Sequence, residues 1–231
     1  MTYSRFTNTL LLLAVVLALP LAASAQLILD NFSSGAYKKQ LSSGNDTNTQ
    51  VGVMIGGKRL TVFSVCQSKP CGSQNLFSQS ASFQIRGKTK IAPSALIFSS
   101  GYYTSPRLDV EYGSGVPLQL DLSNYDRLRV NFHGNDLVVN FNILVFSGTN
   151  YSQTGCNLTA STSPVSIDFP FAYFTSGADF SNISAFDFIF QSGSAVGAED
   201  WAVTSFEAIP IGAPPAQVTC YGVGTKASNH H

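Results

Sequence analysis

The sequence predicts an all-β sandwich of jelly-roll type, and three observations lead there. A polar turn followed by an alternating strand occurs twice, as DLSNYDRLRVNF over 121–132 and DFSNISAFDFIF over 179–190. About a dozen short apolar runs are separated by Gly, Asn, Ser and Pro turns. No stretch keeps a 3.6-residue period over three turns. In each repeat the Asp and Asn side chains suit a turn, because they can bond to nearby backbone. Leu128, Val130 and Phe132, and likewise Phe186, Phe188 and Phe190, then fall on one face of a strand. The two units read as equivalent core strands. Only 58 residues separate them, too few for a sandwich each.

Taken in order, residues 1–25 read as a secretory signal peptide: Arg5, an apolar run from Leu10 to Leu19, and a small-residue Ala23-Ser24-Ala25 cleavage site. That run is shorter than the ~20 residues a membrane span needs. Cleavage predicts a secreted, extracellular chain from Gln26, with a sandwich domain over 26–209 and an extended tail over 210–231 tied back by a disulfide. The first strand is expected at 27–32. Ser33 to Gln50 reads as a polar loop with room for one short strand. Runs 51–55 and 58–65 flank Gly56-Gly57 as a hairpin. Strands are expected at 81–86, 95–99, 106–112, 116–120, 126–132 and 137–146. A Ser, Thr, Asn and Gly loop is expected over 147–163, then strands at 164–169, 185–191 and from Trp201 to Ala208.

The chain carries 13 basic and 13 acidic side chains; without Arg5 the balance is 12 against 13, close to −1. No basic patch stands out, which argues against a nucleic-acid partner. With 11% charged residues, the polar surface falls to Ser, Thr, Asn and Gln. Four cysteines in a secreted chain suggest two disulfides, and three pairings are possible. The favoured set is Cys66–Cys71, closing a short turn, and Cys156–Cys220, holding the tail. Zinc is the alternative, but the ligand spacing supports only one pair and His133 is the sole histidine outside the tail.

The order of features resembles the galactose-binding-like jelly-roll carbohydrate-binding modules. The matching stretches are Asp30-Asn31-Phe32 in the first strand, Leu120 to Val130 entering a mid-chain strand, and Ala198-Glu199-Asp200-Trp201 to Phe206-Glu207 in the last. The resemblance covers most of 27–209. It implies polysaccharide or cell-surface glycan as the partner, without catalysis. It also implies a structural calcium shared by the first and last strands, with Asp30 and Asp200 as ligands and Glu199 or Glu207 behind them, since hard oxygens suit that ion. One departure is that such modules commonly present Trp on the binding face, and this chain has a single Trp, at 201.

Aromatics with adjacent polar groups point to the ligand site. Tyr102, Tyr103 and Tyr112 with Arg107, Asp109 and Glu111 form the candidate, and Tyr151, Tyr173 and Phe174 are further edge aromatics. Filling the core is the competing role for any of these rings. Asp109 and Glu111 lie two apart on a strand, about 7 Å, a spacing glycosidase carboxylates share but any D-x-E strand has. No nucleophile elbow, zinc-protease motif or phosphate loop is present. Five N-x-[ST] sequons occur, at Asn31, Asn45, Asn150, Asn157 and Asn182. The competing reading is a self-assembling structural subunit, since exposed strand edges can pair between copies.

Overall fold

The computed structural model describes residues 25–65, 80–88, 93–101, 104–192, 198–222, 225–226 and 228–229. Residues 1–24 of the expected signal peptide, the Cys66–Cys71 pair, and Tyr102 and Tyr103 lie outside the described residues. Two sheets face one another. One contains β1 (Leu27–Asp30), β2 (Tyr37–Leu41), β5 (Ala81–Arg86), β6 (Ala95–Ser100), β8 (Tyr125–Asn135), β11 (Val165–Pro170), β13 (Asp200–Pro210), β14 (Val218–Thr219) and β16 (Ser228–Asn229). The other contains β3 (Gly44–Val51), β4 (Lys58–Val65), β7 (Pro106–Tyr112), β9 (Val139–Ser147), β10 (Asn150–Leu158), β12 (Ala185–Ser192) and β15 (Thr225–Lys226). The order is β16-β14-β11-β8-β13-β6-β5-β2 in the nine-stranded sheet, with β1 also on β13, and β15-β10-β9-β12-β7-β4-β3 in the seven-stranded sheet. The chain is a β-sandwich of jelly-roll type.

The two repeats enter opposite sheets. Asp121 Oδ1 accepts from the Ser123 amide at 2.8 Å, and Asp179 Oδ1 from the Ser181 amide at 2.9 Å, so each Asp folds the turn before its strand. The first repeat feeds β8 and the second feeds β12, both interior strands. The segments ahead of them meet as a bridge between Leu120 and Ile183. Leu128, Val130, Phe132, Phe186, Phe188 and Phe190 are all buried. Phe188 stacks on Phe206 of β13 with ring centroids 3.9 Å apart, and Phe190 stacks on Trp201 at 4.3 Å. Burying such rings is the main force joining the sheets.

Three local expectations are corrected. The polar stretch before Gln50 holds two strands, because β3 turns Asp46, Asn48 and Gln50 toward polar partners instead of apolar ones. Asp46 accepts from the Tyr37 hydroxyl at 2.7 Å and pairs with Lys39 Nζ at 2.7 Å. Residues 116–120 form a connection, with Gln119 at φ 54, and Leu120 alone bridges. The expected loop around Cys156 is strand β10, paired with β9 from Asn150↔Ser147 to Leu158↔Val139. Small and polar residues alternate there, so no apolar signal marks it. The Gly56-Gly57 hairpin is present, but its arms are β3 and β4, in register at Val51↔Lys58.

Beyond Pro210 the chain crosses the nine-stranded sheet. Arg127 Nη2 donates to the carbonyls of Ala213 and Pro214 at 2.6 and 3.0 Å, and Arg129 to that of Pro214 at 3.0 Å. Arg129 also pairs with Asp168, whose Oδ2 accepts from the Ala216 amide at 2.6 Å. Cys220 is then joined to Cys156, as the sequence led us to expect, with Cα atoms 5.8 Å apart. The tail also pairs with one edge strand of each sheet: β14 lies along β11, and β15 along β10.

Candidate functional site

Strand β7 alternates cleanly. Leu108, Val110 and Tyr112 point into the core, while Arg107, Asp109 and Glu111 lie on the outer face of the seven-stranded sheet. The candidate set is therefore split by the pleat. Tyr112 is fully buried, and its hydroxyl donates to Asp30 Oδ2 at 2.7 Å, which corrects its assignment as a ligand contact. The three charged residues remain together and define a face.

Register shows what accompanies them. Gln191 lies opposite Arg107, Ile189 opposite Asp109, and Asp187 opposite Glu111 on β12. On β9, Asn140, Asn142 and Leu144 continue these rows, and on β10 Asn157, Gly155 and Gln153 complete them. On the other side Ser64 and then Asn45 extend the Arg107 row. One row thus reads Asn45, Ser64, Arg107, Gln191, Asn140, Asn157 across six strands, roughly 24 Å at the interstrand spacing. Every member is polar. The next rows mix apolar residues (Val62, Ile189, Leu60, Leu144) with Asp109, Glu111, Asp187 and Asn142.

The electrostatics centre on β7 and β12. Arg107 Nε donates to both oxygens of Asp109, at 2.7 and 3.0 Å, and this bond holds the guanidinium pKa up. Burial pushes Glu111 up, with help from the neighbouring Asp109 charge. Burial, then the charges of Asp109 and Glu111, push Asp187 up to about 7. Its Oδ1 is buried and has no hydrogen-bond partner among the described residues. Asn142 Nδ2 donates to Asn140 Oδ1 at 2.9 Å, aligning two amides. The face therefore presents acceptors, amides that both donate and accept, and one guanidinium, beside small apolar patches.

The proposed metal pair is corrected. Asp30 is buried, with Oδ1 accepting from the Phe32 amide at 2.7 Å and Oδ2 from Arg59 and Tyr112. Arg59 is also fully buried and reaches Gln50 Oε1 at 3.1 Å and the carbonyls of Ser34 and Gly35 at 3.2 and 2.9 Å. A guanidinium thus already occupies the oxygen cluster around Asp30. Asp30 lies opposite Phe206 on β13, six residues from Asp200, or roughly 20 Å along the strand. The two carboxylates cannot share an ion. Among the described residues no three His, Cys, Asp or Glu side chains gather as metal ligands. Glu207 accepts from the Ser205 hydroxyl at 2.6 Å.

Trp201 is buried, with its ring stacked between Phe98 and Phe190 in the core, so it offers no exposed ring to a saccharide. Phe174 packs on Phe180. Among the described residues the exposed aromatics are Tyr151, beside Phe146, and the Tyr173–Tyr221 pair with centroids 5.0 Å apart. The residues that the sequence reading missed are Asp187, Asn140, Asn142, Gln153, Asn157 and Gln191. For β9 and β12 the signal was present, since Asn140, Asn142, Asp187 and Gln191 are the alternate positions of strands whose apolar face was read. Asn157 and Gln153 sit on β10, which was not read as a strand.

No family model matches the chain, and no curated protein matches it in sequence. Among solved structures, it is similar to the family 11 carbohydrate-binding module of a cellulosomal cellulase of Clostridium thermocellum, at 12% identity and TM-score 0.41, covering 82% of this chain and 96% of that one. A family 11 module of the same organism in complex with a β-1,3-1,4-mixed-linked tetrasaccharide is similar at 13% identity and TM-score 0.37, covering 82% and 98%. An agarase is similar at 13% identity and TM-score 0.39, covering 62% of this chain and 24% of that one.

Proposed function

We propose that this chain is a secreted, non-catalytic carbohydrate-binding module and that the outer face of its seven-stranded sheet holds the saccharide. The observation that carries the reading is the unbroken polar row from Asn45 to Asn157 with Arg107 at its middle. A polysaccharide offers many hydroxyls, each a donor and an acceptor, and amides and carboxylates match both roles. Leu60, Val62 and Leu144, each partly exposed, give the apolar faces of the rings somewhere to rest. The near-zero formal charge leaves hydrogen bonding as the main source of specificity. Asp109 is held by Arg107, which suits orientation of hydroxyls rather than attack on a glycosidic bond.

The test is retention of the chain on a panel of insoluble polysaccharides, with oligomeric state read from the same fractions by light scattering. One polysaccharide should hold a monomer. Asn142→Ala with Asp109→Ala should lower retention at least tenfold without changing the melting temperature by more than a few degrees. Equal retention of the double variant, or of the parent on no polysaccharide, contradicts the reading.

A further inference from the structure

A second candidate site, a trough, lies on the opposite sheet. At the join of β8 and β13, Ala202 pairs with Gly134 and Val203 pairs with Phe132, so His133 is an extra residue with no partner on β13. Such a bulge bends the strand and re-aims its side chain. His133 is exposed there. Gly134 and Ala202 are small, and they lie between β6, with Ile97 and Ser99, and the segment Ser161-Thr162 that crosses above Gly134. The result is a trough of about 540 Å³. That volume falls in the range of small-ligand sites. Its floor is backbone and methyl groups, its walls carry the Ser99, Ser161 and Thr162 hydroxyls, and Asp136 and Asp200 close one end. The last two are locked together: the Asp136 amide donates to the Asp200 carbonyl at 3.0 Å, and the Asp200 amide to Asp136 Oδ1 at 2.7 Å.

Among the described residues the lining includes two carboxylates and no Lys or Arg. A uronate or sulfated sugar would meet uncompensated like charge, whereas an ammonium group is attracted. We propose that this trough is a second saccharide site, for a unit bearing a free amine of the glucosamine type, with Asp136 and Asp200 receiving the ammonium and the bulged His133 and the hydroxyl wall holding the ring. This site is independent of the seven-stranded face.

Trp201 lines the trough from below and is the only tryptophan, so its emission reports on it. The experiment titrates the whole chain with a chitosan tetrasaccharide, cellotetraose and an alginate tetrasaccharide, following Trp201 emission. The chitosan oligomer should give a saturable change at least tenfold tighter than cellotetraose, and alginate none. Ala202→Leu, which fills the floor, and His133→Gln, which leaves it open, should each weaken that response at least fivefold. Asn140→Ala with Asn142→Ala, on the far sheet, should leave it unchanged. No response to the chitosan oligomer, an equal response to cellotetraose, a response to alginate, or a response lost only in the far-sheet variant would each overturn the proposal. The last outcome would place binding on the seven-stranded face.

Discussion

At the scale of single residues, two ionisable groups have measurable consequences, the buried Arg59 and the half-buried Asp187. Arg59 is an arginine inside a sandwich core, and its guanidinium is surrounded by oxygens of Asp30, Gln50, Ser34 and Gly35 and lies over the Phe32 ring. Removing one partner of such a pair strands the other charge, which costs about 3–5 kcal/mol. Arg59→Met should therefore lower the melting temperature by about 10 °C, given roughly 2–4 °C per kcal/mol at this size. A chelator added to the parent should leave its melting curve where it was. Asp187 carries the other effect. Its folded value of about 7 stands above its ordinary 3.8. Between those values the folded chain keeps a proton that the unfolded chain has released, so stability falls as pH rises from about 4 to 7 and is level above. Asp187→Asn should flatten that decline and melt higher than the parent at pH 8, as thermal scans across pH would read. A steeper decline in the variant would contradict the assignment.

At the scale of elements, what could be read in advance followed the chemistry of the buried face. The strands β5, β6, β7, β8, β9, β12 and β13 each bury an apolar stripe, and their period-2 pattern is visible without coordinates. Strands β3 and β10 were not visible, because β3 turns Asp46, Asn48 and Gln50 inward and β10 turns the small polar Ser152 and Thr154 inward ahead of Cys156 and Leu158. The site was half legible for the same reason. Arg107, Asp109 and Glu111 stand out as charges, but Tyr112 next to them belongs to the opposite face, as one step of the pleat requires. Asn140 and Asn142 were hidden as the quiet half of an apolar strand. Gly155 shows how tightly β10 meets that strand: a Cβ there would lie 2.5 Å from the Phe141 carbonyl oxygen and 2.3 Å from Asn142 Oδ1. Gly155→Ala should cost about 1–3 kcal/mol by overpacking, and it should weaken saccharide binding as well by displacing Asn142. A variant that binds and melts like the parent would show that the approach is not needed.

At the scale of the whole molecule, the edges decide between a binding module and a polymer. On one flank the tail covers both sheets, with β14 on β11 and β15 on β10, and Cys156–Cys220 fixes it between them. On the other flank β2 presents Lys38 and Lys39, and charged edge strands resist pairing with further copies. Replacing both Cys156 and Cys220 by Ser should cost about 2–5 kcal/mol and raise association with concentration, as light scattering would report. A monomer of unchanged stability would remove the tail from this role. With the tail along one flank and lysines on β2 at the other, the outer sheet faces are the surfaces offered to a partner.

The most direct measurement is an NMR titration of the isotope-labelled chain with a soluble fragment of whichever polysaccharide retains it, following the side-chain amides. The binding account predicts that Asn140, Asn142, Asn157 and Gln191 shift together and saturate with one affinity, while Asn131 on the nine-stranded sheet does not move. Shifts confined to Asn131 and its neighbours, or saturable binding that leaves the Arg107 row unmoved, would contradict it.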